Sequence, residues 1–172
     1  DLVWMKERVG LPLVAKGIAT AEDAVLAVEH GADVVYVSNH GGRQLDHAQG
    51  SIEVLAEVVE AVAGRAEILM DGGILRGTDV VKALCLGARA VGVGKLLGWA
   101  LTAGGEAGVA RMLELLEIEV RTAMGLMGVT SINQLGPQWL RQVPVLGTPN
   151  ATSAYPLLAA AVRDGSTGRA GQ

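Results

Sequence analysis

One cysteine, no apolar run long enough to span a bilayer and no stretch rich in lysine and arginine: these shortages bound the 172-residue chain before any motif is read. The lone Cys85 has no partner for an internal disulfide and stands within an apolar helical run, so it reads as a small buried packing residue. No segment approaches the ~20 uninterrupted apolar residues of a membrane helix, and no basic-then-apolar leader opens the chain, so a cytoplasmic protein is expected. The net charge of -4 is spread along the sequence without a basic stripe, which argues against nucleic acid as a partner. Aromatic residues make up only 3%, and Trp99, Trp139 and Tyr155 are scattered rather than interleaved with basic side chains, so they read as packing residues. No metal site is read from the sequence. What is present is a 50% hydrophobic, 19% charged composition able to bury a substantial core. The opening residues, Asp1 to Lys6, read like the middle of a helix, so the chain is expected to be part of a larger protein.

Four short apolar runs, Leu11 to Ala15, Val34 to Val37, Ile68 to Met70 and Ala90 to Val93, have the pattern of buried parallel strands. Between them, apolar residues at i, i+3 and i+4 predict helices over Ala21 to His30, Ile52 to Val62 and Thr78 to Leu86. Thr20 followed by Glu22 and Asp23 supplies an N-cap with acid in the first turn, and His30-Gly31 supplies the stop. A longer amphipathic helix is predicted over Gly105 to Met127, then a short turn over Thr130 to Leu135. Pro137, Pro144, Pro149 and Pro156 keep the following segment extended, and the polar, glycine-rich 163–172 reads as a disordered tail. Lys16, His40, Asp71 and Gly94 mark the strand ends, 24, 31 and 23 residues apart. That interval is near the ~30 per unit of a ~250-residue eight-unit barrel. An open doubly wound sheet has the same alternation, but the glycine-rich turn expected after its first strand is missing. The fold class read is therefore α/β, half of a TIM (β/α)8 barrel over residues 1–135, with 136–162 as an extended segment.

A barrel of this type collects its chemistry at the carboxyl ends of its strands. The segment from Ser38 to Asp46, SNHGGRQLD, follows the second strand directly, with Gly41 and Gly42 allowing close backbone approach to a ligand. His40 can accept a proton near neutral pH, and Arg43 offers a planar fork to a carboxylate. The pair suits an anionic substrate that must lose a proton. Lys16 ends an apolar strand, where its ammonium needs an anion nearby to offset desolvation. Asp71 to Thr78, DGGILRGT, and Gly92 to Lys95, GVGK, close the next two strands with glycines and a cation, a pattern suited to phosphate. His47 reads as an exposed loop residue and His30 as a helix-end residue.

Taken together, Lys16-Gly17-Ile18, SNHGGRQLD from Ser38, DGG-x-x-RGTDV from Asp71 and Gly105-Glu106-Ala107-Gly108 resemble the FMN-dependent 2-hydroxy-acid dehydrogenase and oxidase family, over roughly residues 1–135. That family includes glycolate oxidase, lactate oxidase and mandelate dehydrogenase. The resemblance implies strands five to eight of the barrel, FMN as cofactor and oxidation of a small L-2-hydroxy acid to the 2-oxo acid by the full-length parent, itself a homo-oligomer. By the same resemblance His40 stands at the base, Arg43 at the carboxylate-binding arginine, and Lys16 at the lysine beside flavin N1 and the C2 carbonyl. Ser38 stands at a further flavin contact. Asp71, Gly72, Gly73 and Arg76 fall in the ribityl and phosphate loop, and Gly94 with Lys95 at the glycine-arginine pair that receives the phosphate. Leu75 stands where the family commonly has the first of two arginines, and Lys95 replaces an arginine, so FMN is expected to bind more weakly. The electron acceptor is left open. So are two rivals: a different FMN- or phosphate-binding barrel enzyme, and an inactive half-barrel that only self-associates.

Overall fold

Short, largely apolar runs need cover on both faces, and they lie side by side in the computed structural model, which describes residues 1–142. The strands are β1 (Val14–Ile18), β2 (Val34–Val37), β3 (Glu67–Met70) and β4 (Ala90–Val91). All three pairings are parallel, and the order across the sheet is the order along the chain. One row of the register aligns Ala15, Val35 and Ile68, and the next aligns Lys16, Tyr36, Leu69 and Ala90. The register slips between Lys16 and Ile18, where Gly17 has φ 98°. The first strand thus lies three residues later than the apolar run predicted. Pro12 has no N–H for a ladder, and Lys16 falls inside β1 instead of ending it.

The connecting helices are α1 (Leu2–Val9) before β1, then α2 (Ala21–Glu29), α3 (Ser51–Val62), α4 (Gly77–Cys85) and α5 (Lys95–Met127). Thr20 caps α2 as expected, its hydroxyl accepting from the Asp23 N–H at 3.1 Å. Asp79 does the same work for α4, accepting from the N–H groups of Leu75 and Arg76. Ala24 of α2, Val54, Leu55, Val58 and Val62 of α3, and Ala83 of α4 share one buried cluster with Val35, Val37, Ile68 and Met70. All three helices therefore cover the same face of the sheet. Alternation along the strands turns Val14, Lys16, Val34, Tyr36 and Leu69 to the opposite face, where each is exposed or only half-buried. Sequential order with one-sided helices has no reversal point, which excludes the doubly wound arrangement.

The long predicted helix begins ten residues early. Its first arm, from Lys95, meets the expected second arm at Gly104 and Gly105, whose backbones are non-helical. Gly77 lets α4 and α5 touch: its N–H donates to Glu119 at 2.6 Å, and a Cβ there would overlap the Glu119 side chain and lie 2.5 Å from the Val120 nitrogen. Cys85 is buried, and burial raises its thiol pKa against a smaller lowering from the Gly136 backbone. Ile132–Gln134 forms the expected short turn, whereas Pro137–Trp139 is a 3₁₀ turn rather than extended chain. Pro is well placed at the start of such a turn because its missing N–H would have no partner there. Residues Asp1–Leu140 form one compact unit. The expected extended run and tail beyond residue 142 lie outside the described residues.

Two stability outcomes follow from these contacts. Gly77→Ala should lower unfolding stability by roughly 1–3 kcal/mol in urea denaturation, because α4 must move off α5 to admit a methyl group. Asp33 joins α1, β1 and β2, accepting from Lys6 Nζ at 2.7 Å and from the Leu13 N–H at 2.7 Å. The Lys6 bond first, and the Leu13 bond second, hold its carboxyl below the ordinary 3.8. A lowered carboxyl pKa stabilises the fold fully above the unfolded value, and that contribution is lost as pH falls through the folded one. The gap in urea midpoint between wild type and Asp33→Asn should therefore be constant at neutral pH and close below 3.8. A gap that persists at lower pH contradicts this.

Candidate active site

Three parallel strands end side by side, and one hydroxyl connects them. Ser38 follows β2 and is 1% exposed. Its Oγ accepts from Lys16 Nζ of β1 at 3.0 Å and from the His40 N–H at 3.1 Å, and donates to Asp71 Oδ1 after β3. One donor and two acceptor sites are all that a serine hydroxyl has, so it is fully used. Lys16 and Asp71 also pair directly, Nζ to Oδ2, at 3.1 Å. The anion that Lys16 needs is thus supplied by the chain itself. The sequence places Ser38 among candidate ligand contacts; the geometry makes it the joint that fixes Lys16 and Asp71.

His40 leaves the strand in a left-handed conformation, φ 55°, which is uncommon for a residue with a Cβ. Strain of this kind persists only where neighbours hold it. Here the Asn39 side chain accepts from the Gly41 N–H at 3.1 Å, and the Asn39 N–H donates to Ser51 Oγ at 3.1 Å. The imidazole stands against Gly17 of β1, where a Cβ would lie 2.8 Å from His40 Cε1. The glycine at the β1 irregularity therefore makes room for the histidine of the next strand. His40 is exposed on the rim. Arg43, three residues on, is also exposed and makes no ion pair or hydrogen bond within the described residues. Its guanidinium is free to meet an external carboxylate.

The loops after β3 and β4 divide the remaining candidates. Gly72 and Gly73 have φ of 95° and 79°. A Cβ on Gly72 would lie 2.8 Å from Ser51 Oγ, whereas Gly73 and Gly94 face open space. Gly94 precedes the first turn of α5, whose leading N–H groups have no partner within the helix and carry the positive end of its dipole. Open glycines beside such amides are a cradle that a flavin phosphate fits, with the Lys16 ammonium and the Asp71 carboxylate suited to a polar ring edge and a ribityl hydroxyl. Lys95 turns across the rim, donating from Nζ to the Gly41 carbonyl at 2.8 Å, so it braces the His40 loop. Arg76 departs from its expected place: its Nη2 pairs with Glu119 of α5 at 3.1 Å, which makes it a helix-packing residue. Glu119 was not legible as its partner, lying 43 positions away.

Tyr36 was missed altogether. It lies on the open face of β2, and its ring centroid is 5.0 Å from Lys16 Nζ. Burial chiefly, then the neighbouring Asp71 carboxylate, raises its phenol pKa. Its place inside an apolar strand gave no sequence signal beyond packing.

Residues 1–142 match the FMN-dependent dehydrogenase family. The chain is 49% identical over 140 residues to L-lactate oxidase of Nostoc sp., and 47% identical over 145 residues to human 2-hydroxyacid oxidase 1. These matches take in 81% and 84% of the chain but only 38% and 39% of those relatives. A mandelate oxidase variant solved with (S)-mandelic acid superposes with a TM-score of 0.74 at 53% identity, over 77% of this chain and 39% of that one. Another, solved with an FMN adduct, gives 0.69 at 57% identity over 72% and 39%. The chain thus spans about two fifths of the length of its relatives. With the family match running through every strand and loop of the site, the chain belongs to the FMN-dependent dehydrogenases.

Proposed function

We propose that this chain is the carboxyl-terminal half of a (β/α)8 barrel whose full-length form oxidises a small L-2-hydroxy acid to the 2-oxo acid with FMN. The half-barrel reading is supported by the sequential parallel order, by helices on one face only and by a half-exposed apolar face opposite. The relatives' additional length leaves room for the four units that would complete the barrel. The observation that carries the reaction is the joining of Lys16, Ser38, His40 and Asp71 through one hydroxyl at the strand ends.

In this reading FMN, when bound, supplies the two-electron acceptor. Lys16, Ser38, Asp71, Gly72, Gly73, Gly94 and, through its backbone N–H at the start of α5, Lys95 would hold it. Arg43 binds the substrate carboxylate through its free fork and thereby orients the 2-hydroxyl. His40 Nδ1 or Nε2 takes the proton that the substrate gives up, acting as general base from its rim position against Gly17. The Lys16 ammonium stabilises negative charge that develops beside it. A different reaction on the same phosphate-binding barrel would have no need of a free guanidinium three residues from a base, which is why the hydroxy-acid reading is preferred.

The test uses the full-length protein loaded with FMN. His40→Gln should lower hydroxy-acid oxidation by roughly 10²–10⁴-fold with the flavin spectrum retained. Unchanged turnover in that variant would remove His40 from the chemistry. At the phosphate end, Leu75→Arg should tighten FMN by about tenfold or more in fluorescence titration of the apoprotein, one charge-assisted hydrogen bond being gained. No gain would place Leu75 away from the phosphate.

A further inference from the structure

We propose that Tyr36 is a positioning residue for the Lys16–Asp71 pair, clamping the ammonium and the carboxylate from the open face of the sheet in space that Gly92 leaves for it. This rests on the reading that Lys16 serves the flavin.

Tyr36 and Lys16 are register partners on adjacent strands, so their side chains leave the sheet on the same face. The ammonium stands 5.0 Å from the ring centroid, within the range of a cation–π contact. The same ring brings its hydroxyl beside Asp71, since the Cβ that Gly92 lacks would overlap that hydroxyl and lie 3.2 Å from the Asp71 Cβ, and Asp71 is itself ion-paired to Lys16. The tyrosine thus stands beside both members of the pair, with the ammonium over its face and the carboxylate residue next to its hydroxyl. Ser38 holds the two from the rim end. Without a second contact, a lysine with four rotatable bonds and 41% side-chain exposure would keep much of its rotamer freedom.

Room for the phenol comes from Gly92, the residue that follows β4. A Cβ on Gly92 would overlap the Tyr36 hydroxyl, lie 3.3 Å from Cζ and lie 3.2 Å from the Asp71 Cβ. The large residue at position 36 and the missing side chain at position 92 are therefore matched across the sheet. Neither a leucine at 36, which would leave a void beside Gly92, nor an alanine at 92, which would displace the phenol, preserves the arrangement.

Two measurements test the clamp. In the FMN-loaded full-length protein, the flavin midpoint potential is compared for wild type, Tyr36→Leu, Lys16→Met and the double variant. Lys16→Met should lower the potential. Tyr36→Leu should shift the reduction equilibrium in the same direction by roughly two- to fivefold, and should add nothing in the Lys16→Met background. A silent Tyr36→Leu beside an active Lys16→Met overturns the clamp alone, as does a shift that persists in the double variant. A silent Lys16→Met overturns the flavin reading and the clamp with it. The second measurement needs no flavin and covers the case of a variant that does not fold. On ultraviolet difference titration of the full-length apoprotein, the phenol lost in Tyr36→Phe should ionise above the ordinary value of about 10, and that step should be lowered in Asp71→Asn. A phenol step indifferent to Asp71→Asn overturns the contact. Gly92→Ala should also lower that step by pushing the hydroxyl off Asp71, and Gly92→Ala leaving it in place counts against the match between the two positions.

Discussion

A single buried hydroxyl, that of Ser38, ties the ends of β1, β2 and β3 into one unit. Parallel strands have no hairpin to align their carboxyl ends, so something other than chain connectivity must fix how the last residue of one stands against the next. Ladder hydrogen bonds fix the register of the strands, but they leave the side chains beyond the last pair free. Ser38 removes that freedom for a cation, an anion and the amide of the histidine in one step. With its one proton and two lone pairs committed, any rotation of the hydroxyl would break at least one of its three hydrogen bonds. The rim is rigid because the cost of the alternatives is shared among all of them.

Missing side chains shape the site as much as those present. Gly17 leaves the volume that His40 fills, Gly92 leaves the volume that Tyr36 fills, and Gly77 lets Glu119 reach the first turn of α4. Each glycine sits on one element and each space-filling group on another, so the complementarity is long-range and has no trace in local sequence. It also explains why Arg76 is drawn away from the rim. The carboxylate that accepts the Gly77 N–H sits on α5, and the neighbouring arginine pairs with its other oxygen.

The element order was legible from periodicity because buried strands and one-sided helices impose different spacings on apolar residues. Boundaries moved where a single residue overrides the pattern: Pro12 delays β1, and Gly104 with Gly105 bends what is otherwise a continuous α5. The chemistry-bearing segments were legible through their resemblance to a family, since SNHGGRQ places base and guanidinium together without any need of the fold. What could not be read were the contacts that cross strands. Lys16 required an anion on desolvation grounds, but nothing local said that the anion is Asp71, 55 residues later, or that a tyrosine ring would lie beneath it. Lys95 was legible as a phosphate contact from the glycines and cation after β4 and from the family resemblance, but nothing local said that its ammonium reaches a carbonyl on a loop two strands away.

The two ends of the proposed flavin site are therefore built on different principles. Around Lys16 the charge is held by side chains from β1, β2 and the β3 loop, each limiting the next, and the field it projects is fixed by their packing. At the other end the side-chain cations are spent elsewhere, Arg76 on Glu119 and Lys95 on Gly41, with Leu75 contributing no charge. What remains there is backbone: open glycines at 73 and 94 and the first turn of α5. Backbone amides select a phosphate by geometry and a partial dipole, and their contribution is weaker than that of a guanidinium fork but less sensitive to salt. Affinity at such a site depends on how well the β3 and β4 loops are held at the correct spacing. That spacing is set by the same sheet edge whose ends Ser38 aligns.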